Sequence, residues 1–597
     1  MLQFKSYKGI ALMLFLFVFI YLLLRSYFVE PLHDEVSVLY MYFESGKIFE
    51  KGVIQDAGNH LLQTYLSHYC YRFFGDSMFS LRLPVVLSYA IYFFGTYKIV
   101  SLISVIKRRF LLLLSLNTIP FIIEYFANAR GYGMALAFFM WLLFYSLKWS
   151  QVQSIKNALG VYIFAYFSVF SVIVYFPSAF LAILLIHLFQ SKNFKTFRFR
   201  KHIFLVVLSL AFLISLFPFY YLSLILKNGG GFYHGSLTGI WESTGKSLAT
   251  NVFFTSNISI KFILIFLFIF FLYLKVKELK KSSFWNLFSK NDTIILYYFF
   301  GNLICILLMA LKLNVNFPED RVAMHLVILF ILSIAFVFEK FRFSNYIYYS
   351  FLFFSFTFLL NLSLSTSVFS NDNRMSTNFY KKVRKQIKSN MTIGLYPMQE
   401  LCWSYHEKHN KDSRLKITTN WERDFNNQYD LIMMKENRTN PVDFLKDYKE
   451  IAYEPLSGYH AFIRKTRLVK KLDFSNHITL RSSNDSINLA MNWNSKSKRK
   501  KSNFICSFNG NVKIDSVFDN IEIRFDAIDQ KGIIFQSNRV PLRWYYGSKK
   551  LNIDFSINQM LKNIHPNIDK INCYIWNPQN RILIFRNVKL NIYEIIK

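Results

Sequence analysis

Cysteine is scarce in this 597-residue chain, and the five present, Cys70, Cys305, Cys402, Cys506 and Cys573, show no CxxC or other metal-ligand spacing. That argues against a structural zinc site; a Cys506–Cys573 disulfide is open to the chain in an oxidising compartment. The first apolar segment, residues 9 to 28, has no small-residue cleavage site and reads as a retained helix. Acidic residues are also few, 36 against 70 lysines and arginines, for a formal net charge of +34. A nucleic-acid partner would need those bases on one accessible face. Here many of them punctuate hydrophobic segments instead, as they do in a membrane protein, so no nucleic acid is expected.

Apolar and aromatic residues, in contrast, are abundant: 53% of the chain is hydrophobic, with Phe 67 and Tyr 37. The long apolar runs fall between Gly9 and Asn361, while the last third is polar. About 20 mostly apolar residues cross a bilayer as a helix. About eleven stretches qualify or nearly so, near 9–28, 83–104, 110–126, 132–148, 157–175, 178–191, 203–226, 258–274, 293–311, 322–338 and 345–363. Alternate loops carry the lysines and arginines, among them 107–109, 192–201, 275–290 and 340–342, and these are expected in the cytoplasm. An odd number of crossings then puts the C-terminal region outside, despite the basic run from Lys381 to Lys388.

The expected organisation is a transmembrane catalytic domain over 1–363, a linker over 364–389, an extracytoplasmic α/β domain over 390–466 and a β-sandwich over 467–597. The α/β segment shows short apolar runs alternating with helical stretches, and lacks a glycine-rich phosphate loop, so no nucleotide is expected there. The final segment has many short turn-bounded strands. Trp544, Tyr545, Tyr546 and Trp576 are candidates for carbohydrate contact, with core packing the commoner role for any one of them. The run Lys496 to Lys501 reads as a solvated hairpin loop.

Four polar clusters fall on the expected outer face: His33-Asp34-Glu35; Gly58-Asn59-His60 with Arg82 following; Asn128-Ala129-Arg130-Gly131-Tyr132; and Pro318-Glu319-Asp320-Arg321. The loop from Lys227 to Ser256, with Gly229-Gly230-Gly231 and His234, is a candidate lid. Each cluster alone is more often an interfacial anchor than a site. Carboxylates and arginines gathered at helix ends on one face point instead to an anionic, lipid-borne substrate.

The order helix, Asp-Glu pair, GNHLLQTYLSHYCYRFFGDSMFSLRLP, ARGYGMAL and PEDRVAMHLVILFIL resembles the GT-C glycosyltransferases, in particular the bacterial branch similar to protein O-mannosyltransferases and the lipid A aminoarabinose transferase. The resemblance covers residues 30–140 and returns at 317–338. Where the family often has proline after the histidine of the second motif, this chain has Leu61 and Leu62 after His60. The resemblance implies a GT-C fold in a bacterial plasma membrane, with a polyprenyl-phosphate sugar donor presented at the outer side. It places Asp34 at the catalytic acidic position, with Glu35 beside it. The chemistry agrees, because an acceptor hydroxyl must lose its proton to a base and a phosphate leaving group needs cations. His60, Arg82, Arg130, Tyr132, Glu319, Asp320 and Arg321 are the candidates for holding the donor and its phosphate. No cofactor is expected, although Asp34, Glu35, Glu319 and Asp320 would suit a divalent cation if they converged. The acceptor, whether glycan, lipid or protein, is not specified. The competing readings are an O-antigen ligase or polymerase and a transporter of lipid-linked glycans; a transporter should show mid-membrane ionisable residues and internal repeats, and neither stands out.

Overall fold

The computed structural model describes residues 2–44, 46, 58–192, 199–216, 235–281, 283–367, 369, 374–388, 390–411, 415–422, 425, 428–494, 502–518, 520–564 and 568–596. The glycine run and His234 of the candidate lid, residues 193–198 of a loop expected in the cytoplasm and the basic run 496–501 lie outside them. The chain forms two compact units, one of Met1–Val29 with Met41–Phe369, the other of Glu30–Tyr40 with Ser370–Lys597.

The first unit is helical. In chain order its helices and those of the second unit run α1 (Leu2–Phe28), α2 (His33–Val38), α3 (Leu61–Phe74), α4 (Met78–Val100), α5 (Ile106–Leu116), α6 (Pro120–Glu124), α7 (Tyr132–Gln151), α8 (Ile155–Ser171), α9 (Phe176–Lys192) and α10 (Phe199–Ser215). They continue as α11 (Lys246–Phe253), α12 (Ile258–Leu279), α13 (Phe284–Phe288), α14 (Asn291–Leu313), α15 (Met324–Phe338), α16 (Ser344–Ser350) and α17 (Leu352–Leu360). Among the described residues six helical segments, Tyr7–Phe28, Met78–Val100, Tyr132–Gln151, Ile258–Leu279, Asn291–Leu313 and Asp320–Phe338, are long and apolar enough to cross a membrane. Three shorter apolar helices accompany them, 155–171, 173–189 and 203–215. The two remaining expected spans are broken: the 110–126 stretch divides into α5 and α6 at Asn117-Thr118-Ile119, and the last into α16 and α17 at Phe351.

Periodicity does not orient these helices, because lipid accepts apolar side chains all round. Burial does. The helix Ile258–Leu279 has only 6% of its most apolar window buried, and Phe262 and Phe266 on it are 64% and 66% exposed. Such a surface in water would forgo roughly 25 cal/mol for every Å² of apolar area left wet, so it belongs against lipid and the chain is a polytopic α-helical membrane protein. The most buried of these six segments, those of α7 and α15, contribute to the unit's apolar core.

The second unit gathers α2, α18 (Thr377–Gln386), α19 (Pro397–His409), α20 (Leu542–Tyr546) and three sheets' worth of strands. A five-stranded sheet has the order β4-β3-β5-β7-β6, with β3 (Ile393–Leu395) parallel to β4 (Asn420–Trp421) and β5 (Leu431–Lys435), and β7 (Tyr459–Arg464) antiparallel to β5 and β6 (Tyr448–Glu454). Two four-stranded antiparallel sheets form the sandwich. One is ordered β13-β10-β15-β8, from β13 (Asn552–Ile564), β10 (Ser502–Ile514), β15 (Leu583–Ile596) and β8 (Val469–Ser483). The other is β12-β11-β14-β9, from β12 (Ile534–Pro541), β11 (Glu522–Asp529), β14 (Ile568–Trp576) and β9 (Ile487–Asn494). Alternation makes these strands: along β13, Ile553, Phe555 and Ile557 point inward while Asn552 and Asp554 are exposed.

The segment expected as a linker is in part helix α18, whose Phe379 and Val383 are buried. They share one apolar core with Leu395 and Leu431 of the α/β sheet and Phe508 and Phe525 of the sandwich, so the two expected outer domains are fused through a common interior. Residues 30–40 belong to the same unit. Glu30 accepts from the Thr377 N–H (3.0 Å) and hydroxyl (2.9 Å) at the start of α18, and Leu32 bridges to Arg374. All five cysteines are free thiols; Cys506 and Cys573 lie buried on strands of opposing sheets, and burial pushes the Cys506 thiol up to about 12.

Candidate functional site

In the first unit, four side chains that are far apart in sequence meet at one ring. The turn between α6 and α7 carries Arg130 and Gly131 and delivers Tyr132 as the first residue of α7. The ring of His60, at the cap of α3, stands edge-on to the Tyr132 ring at 4.5 Å between centroids. The guanidinium carbons of Arg130 and Arg321 each lie 5.8 Å from the centre of the same ring. His60, Arg130 and Tyr132 are buried and Arg321 is half-buried. Cations at this distance are attracted to the negative face of an aromatic ring, the more so away from water.

Gly131 is required by this packing. A Cβ there would lie 2.7 Å from Cβ of His60 and 2.8 Å from the Ser171 carbonyl, so only a glycine lets the backbone approach α3 and the end of α8. The sequence clusters around His60, Arg130-Tyr132 and Arg321 are therefore one structural cluster.

Asp320 is held differently. It sits at φ +49°, and its Oδ1 accepts from the Ser247 hydroxyl (2.6 Å) and the Asn251 amide (2.7 Å), both on α11. Its own N–H donates to Ser247 Oγ at 2.5 Å. Nearby, Thr244 donates to the Pro318 carbonyl (2.6 Å) and Gly235 and Ser236 pair with Pro318 and Phe317. A side chain at Gly235 would place Cβ 1.9 Å from the Phe317 carbonyl oxygen. The described half of the candidate lid, from Gly235 onward, is thus strapped to the Pro318–Arg321 motif. Ser247 and Asn251 escaped the sequence reading because isolated polar residues on a short helix carry no pattern.

The other face of α11 contributes Leu248 and Val252 to an apolar cavity of about 420 Å³, which Trp241, Phe268, Phe271 and Phe330 also line. Glu319, next to Asp320, is half-buried. Arg82 is fully buried and donates from Nη1 to the carbonyls of Ser26 (3.1 Å) and Val29 (2.7 Å), groups that the end of α1 leaves without helical partners.

A second buried charge system in this unit joins Glu124 to Arg25. Arg25 on α1 lies 3.3 Å from the Glu124 carboxylate and donates to the carbonyls of Ser363 (2.7 Å) and Thr366 (3.0 Å). Glu124 in turn accepts from the Ser367 hydroxyl and the Phe369 N–H.

Asp34 and Glu35 belong to the second unit, in the first turn of α2, which packs on α19. Glu35 is fully buried, and its Oε2 accepts from the Leu32 N–H at 3.2 Å, closing the helix start. Asp34 is half-buried. Beneath them, burial pushes the Cys402 thiol well up, with the Glu35 and Asp34 carboxylates adding to the effect. Among the described residues no three His, Cys, Asp or Glu side chains come together as a metal-binding group.

Of the sandwich aromatics, Tyr545 and Tyr546 are core residues. Trp544 and Trp576 are half-buried; Trp544 stacks on Tyr40 at 5.7 Å and Trp576 lies under the Arg524 guanidinium at 4.0 Å.

No protein-family model and no curated protein matches the sequence. Among solved structures, ArnT from Cupriavidus metallidurans bound to undecaprenyl phosphate is similar over 77% of this chain and 97% of its own, with 12% identity and a TM-score of 0.41. The same protein in the apo state gives 0.39 at 12% identity and equal coverage. The arabinosyltransferase EmbB from Mycobacterium smegmatis is similar over 96% of this chain and 64% of its own, at 8% identity and a TM-score of 0.33. At these values the likeness assigns no residue a role.

Proposed function

We propose that this chain is a membrane glycosyltransferase that moves a sugar from a polyprenyl-phosphate donor to an acceptor hydroxyl at the extracytoplasmic face of a bacterial plasma membrane. The observation that carries the reading is the convergence of Arg130 and Arg321 on the Tyr132 ring beside His60, within a helical unit whose surface suits lipid. Guanidinium forks match phosphate oxygens in charge and geometry, and the aromatic ring fixes both forks before a ligand arrives. The apolar cavity beside α11 is suited to part of an isoprenoid chain, and α11 ties that cavity to the Asp320-Arg321 motif. The loop charges support the assignment of face.

In the reaction so read, the acceptor oxygen forms a bond to the anomeric carbon as the bond from that carbon to the phosphate oxygen breaks. By the resemblance, the acceptor proton passes to the Asp34 carboxylate and the electron pair leaves with polyprenyl phosphate, a charge that guanidinium groups such as those of Arg130 and Arg321 suit. Single displacement inverts the anomeric centre. Glu35, already engaged by the Leu32 N–H, positions the turn that carries Asp34. His60 and Arg82 are assigned to shaping the donor site and Glu319 to its rim. No metal or cofactor is assigned a role.

The test is transfer of radiolabelled sugar from a panel of polyprenyl-phosphate monosaccharides by purified wild-type protein and Asp34→Asn, with and without a chelator. Transfer or donor hydrolysis by wild type, lost in Asp34→Asn and indifferent to the chelator, supports the donor class, the need for Asp34 and metal-independent chemistry. Full activity in Asp34→Asn removes Asp34 from the chemistry. Silence across the panel, with binding of polyprenyl-diphosphate oligosaccharides, favours a ligase or polymerase.

A further inference from the structure

The second unit contains a polar cavity of about 370 Å³, within the size range of small-molecule sites, where α19, the end of β4, β12 and α20 come together. Its lining includes Glu400, Trp421, Arg539 and Trp544. Two indole rings border it, one 57% exposed at Trp421 and one braced from behind by the stacked Tyr40, whose hydroxyl donates to the Trp544 carbonyl at 2.9 Å. The amides that share the lining are pre-set: Gln559 donates to the Thr419 carbonyl (3.0 Å), and Asn538 donates to Gln559 Oε1 (3.2 Å) and to the Met560 carbonyl (2.9 Å).

Two polar atoms of this lining are buried and make no hydrogen bond of good geometry among the described residues, Trp544 Nε1 and Glu400 Oε2, although the Tyr545 hydroxyl adjoins the Glu400 carboxyl. Buried polar atoms normally find partners, and these two border the cavity, where a bound ligand can supply them. The charge is also unbalanced. Arg524 is neutralised by Glu522 at 2.9 Å, whereas Arg539 forms no ion pair among the described residues. Its acidic neighbour Glu400 is 3% exposed, and burial raises that carboxyl above the usual carboxylate range, with the Arg539 charge and the Tyr545 hydroxyl opposing.

We infer that this cavity binds a sugar unit bearing an acidic group, with its ring against Trp421 and Trp544, its hydroxyls on Glu400 and the Trp544 N–H, and its carboxylate on Arg539. Flat indole faces suit the apolar face of a pyranose, and fixed amides and a carboxyl group suit its hydroxyls. A uronate in a glycan chain has this chemistry. On the transfer reading, on which this last step alone rests, the cavity holds the acceptor glycan: α19 carries Glu400 to the cavity and also packs against α2 with Asp34, and Tyr40, just beyond α2, braces Trp544.

The test is binding of the full-length protein in detergent to a panel of neutral, amino and uronate oligosaccharides, with no donor present. Wild type should bind a uronate-bearing oligosaccharide at least tenfold tighter than its neutral counterpart. Trp421→Ala, at an exposed position whose loss leaves the core intact, should weaken binding at least tenfold, and Arg539→Gln should abolish the preference for the acid. Because binding is measured with no donor present, its outcome is separate from that of the transfer assay, and silence in the transfer assay leaves this test intact. No binding to any oligosaccharide of the panel, or binding indifferent to Trp421→Ala, overturns the inference; binding without acid preference overturns the role of Arg539.

Discussion

Arg130 and Arg321, on opposite sides of most of the helical unit's sequence, hold their guanidinium carbons at the same 5.8 Å from the centre of the Tyr132 ring. One aromatic side chain thereby sets the position of two cations. Replacing it by leucine removes both attractions, about 1–2 kcal/mol together. Tyr132→Leu should therefore raise the donor KM by about tenfold, while Tyr132→Phe, which keeps the ring, stays within about threefold of wild type. Equal effects of the two substitutions in steady-state transfer assays would assign the hydroxyl, and not the ring, the positioning role.

The Asp320 carboxylate is a fastening for α11. Asp320→Ala breaks two hydrogen bonds to a charged group, each worth about 1.5–3 kcal/mol. Amide hydrogen exchange across Lys246–Phe253 should accelerate by at least tenfold in this variant, and Ser247→Ala should reproduce a part of that change. Unchanged exchange would show that the Gly235–Pro318 bridge alone holds the strap.

The Arg25–Glu124 pair is buried on both sides. Removing one partner strands a charge in an apolar bundle, at about 3–5 kcal/mol. Glu124→Gln should lower the thermal unfolding midpoint in detergent clearly, and the double change Arg25→Met with Glu124→Leu should recover more than half of the loss. A double variant as unstable as the two single changes added together would mean that the carbonyl contacts of Arg25, and not the ion pair, dominate.

Glu400 makes the stability of the second unit depend on pH. Its folded-state pKa is raised above the ordinary value of 4.5 by burial, with Arg539 opposing. A raised carboxyl pKa contributes stability that is complete below about pH 4.5 and is lost as pH climbs through the folded value, because the unfolded chain then releases its proton more readily. Relative to wild type, Glu400→Gln should gain stability progressively as pH rises from 4.5. Parallel unfolding curves for the two proteins across that range would place the carboxyl in contact with water.

Much was legible in advance because it depends on composition along the chain. The apolar stretches are helices, since a backbone in lipid must satisfy its own hydrogen bonds, and the alternating tail is a sandwich. Among the described residues six of the stretches reach full crossing length, and the 110–126 stretch divides at Asn117-Thr118-Ile119, where Asn117 and Thr118 donate from their side chains to helix carbonyls. Hydropathy sums do not register such a break. The polar segment after residue 363 carries no long apolar run, so helix α18 within it was invisible; three buried side chains on one face suffice once a core exists to receive them.

By itself, then, the sequence determined the helical membrane unit, the β-rich tail and the identity of the polar clusters, because hydropathy, strand alternation and residue chemistry are local properties. Tertiary structure alone decided which clusters meet. It joined His60, Tyr132, Arg130 and Arg321 around one ring, turned Asp320 toward α11, and gave Asp34 and Glu35 to the second unit through Glu30, Leu32 and Tyr40. Those partnerships depend on contacts between residues hundreds of positions apart, and no local pattern encodes which distant side chain will fill a given hole.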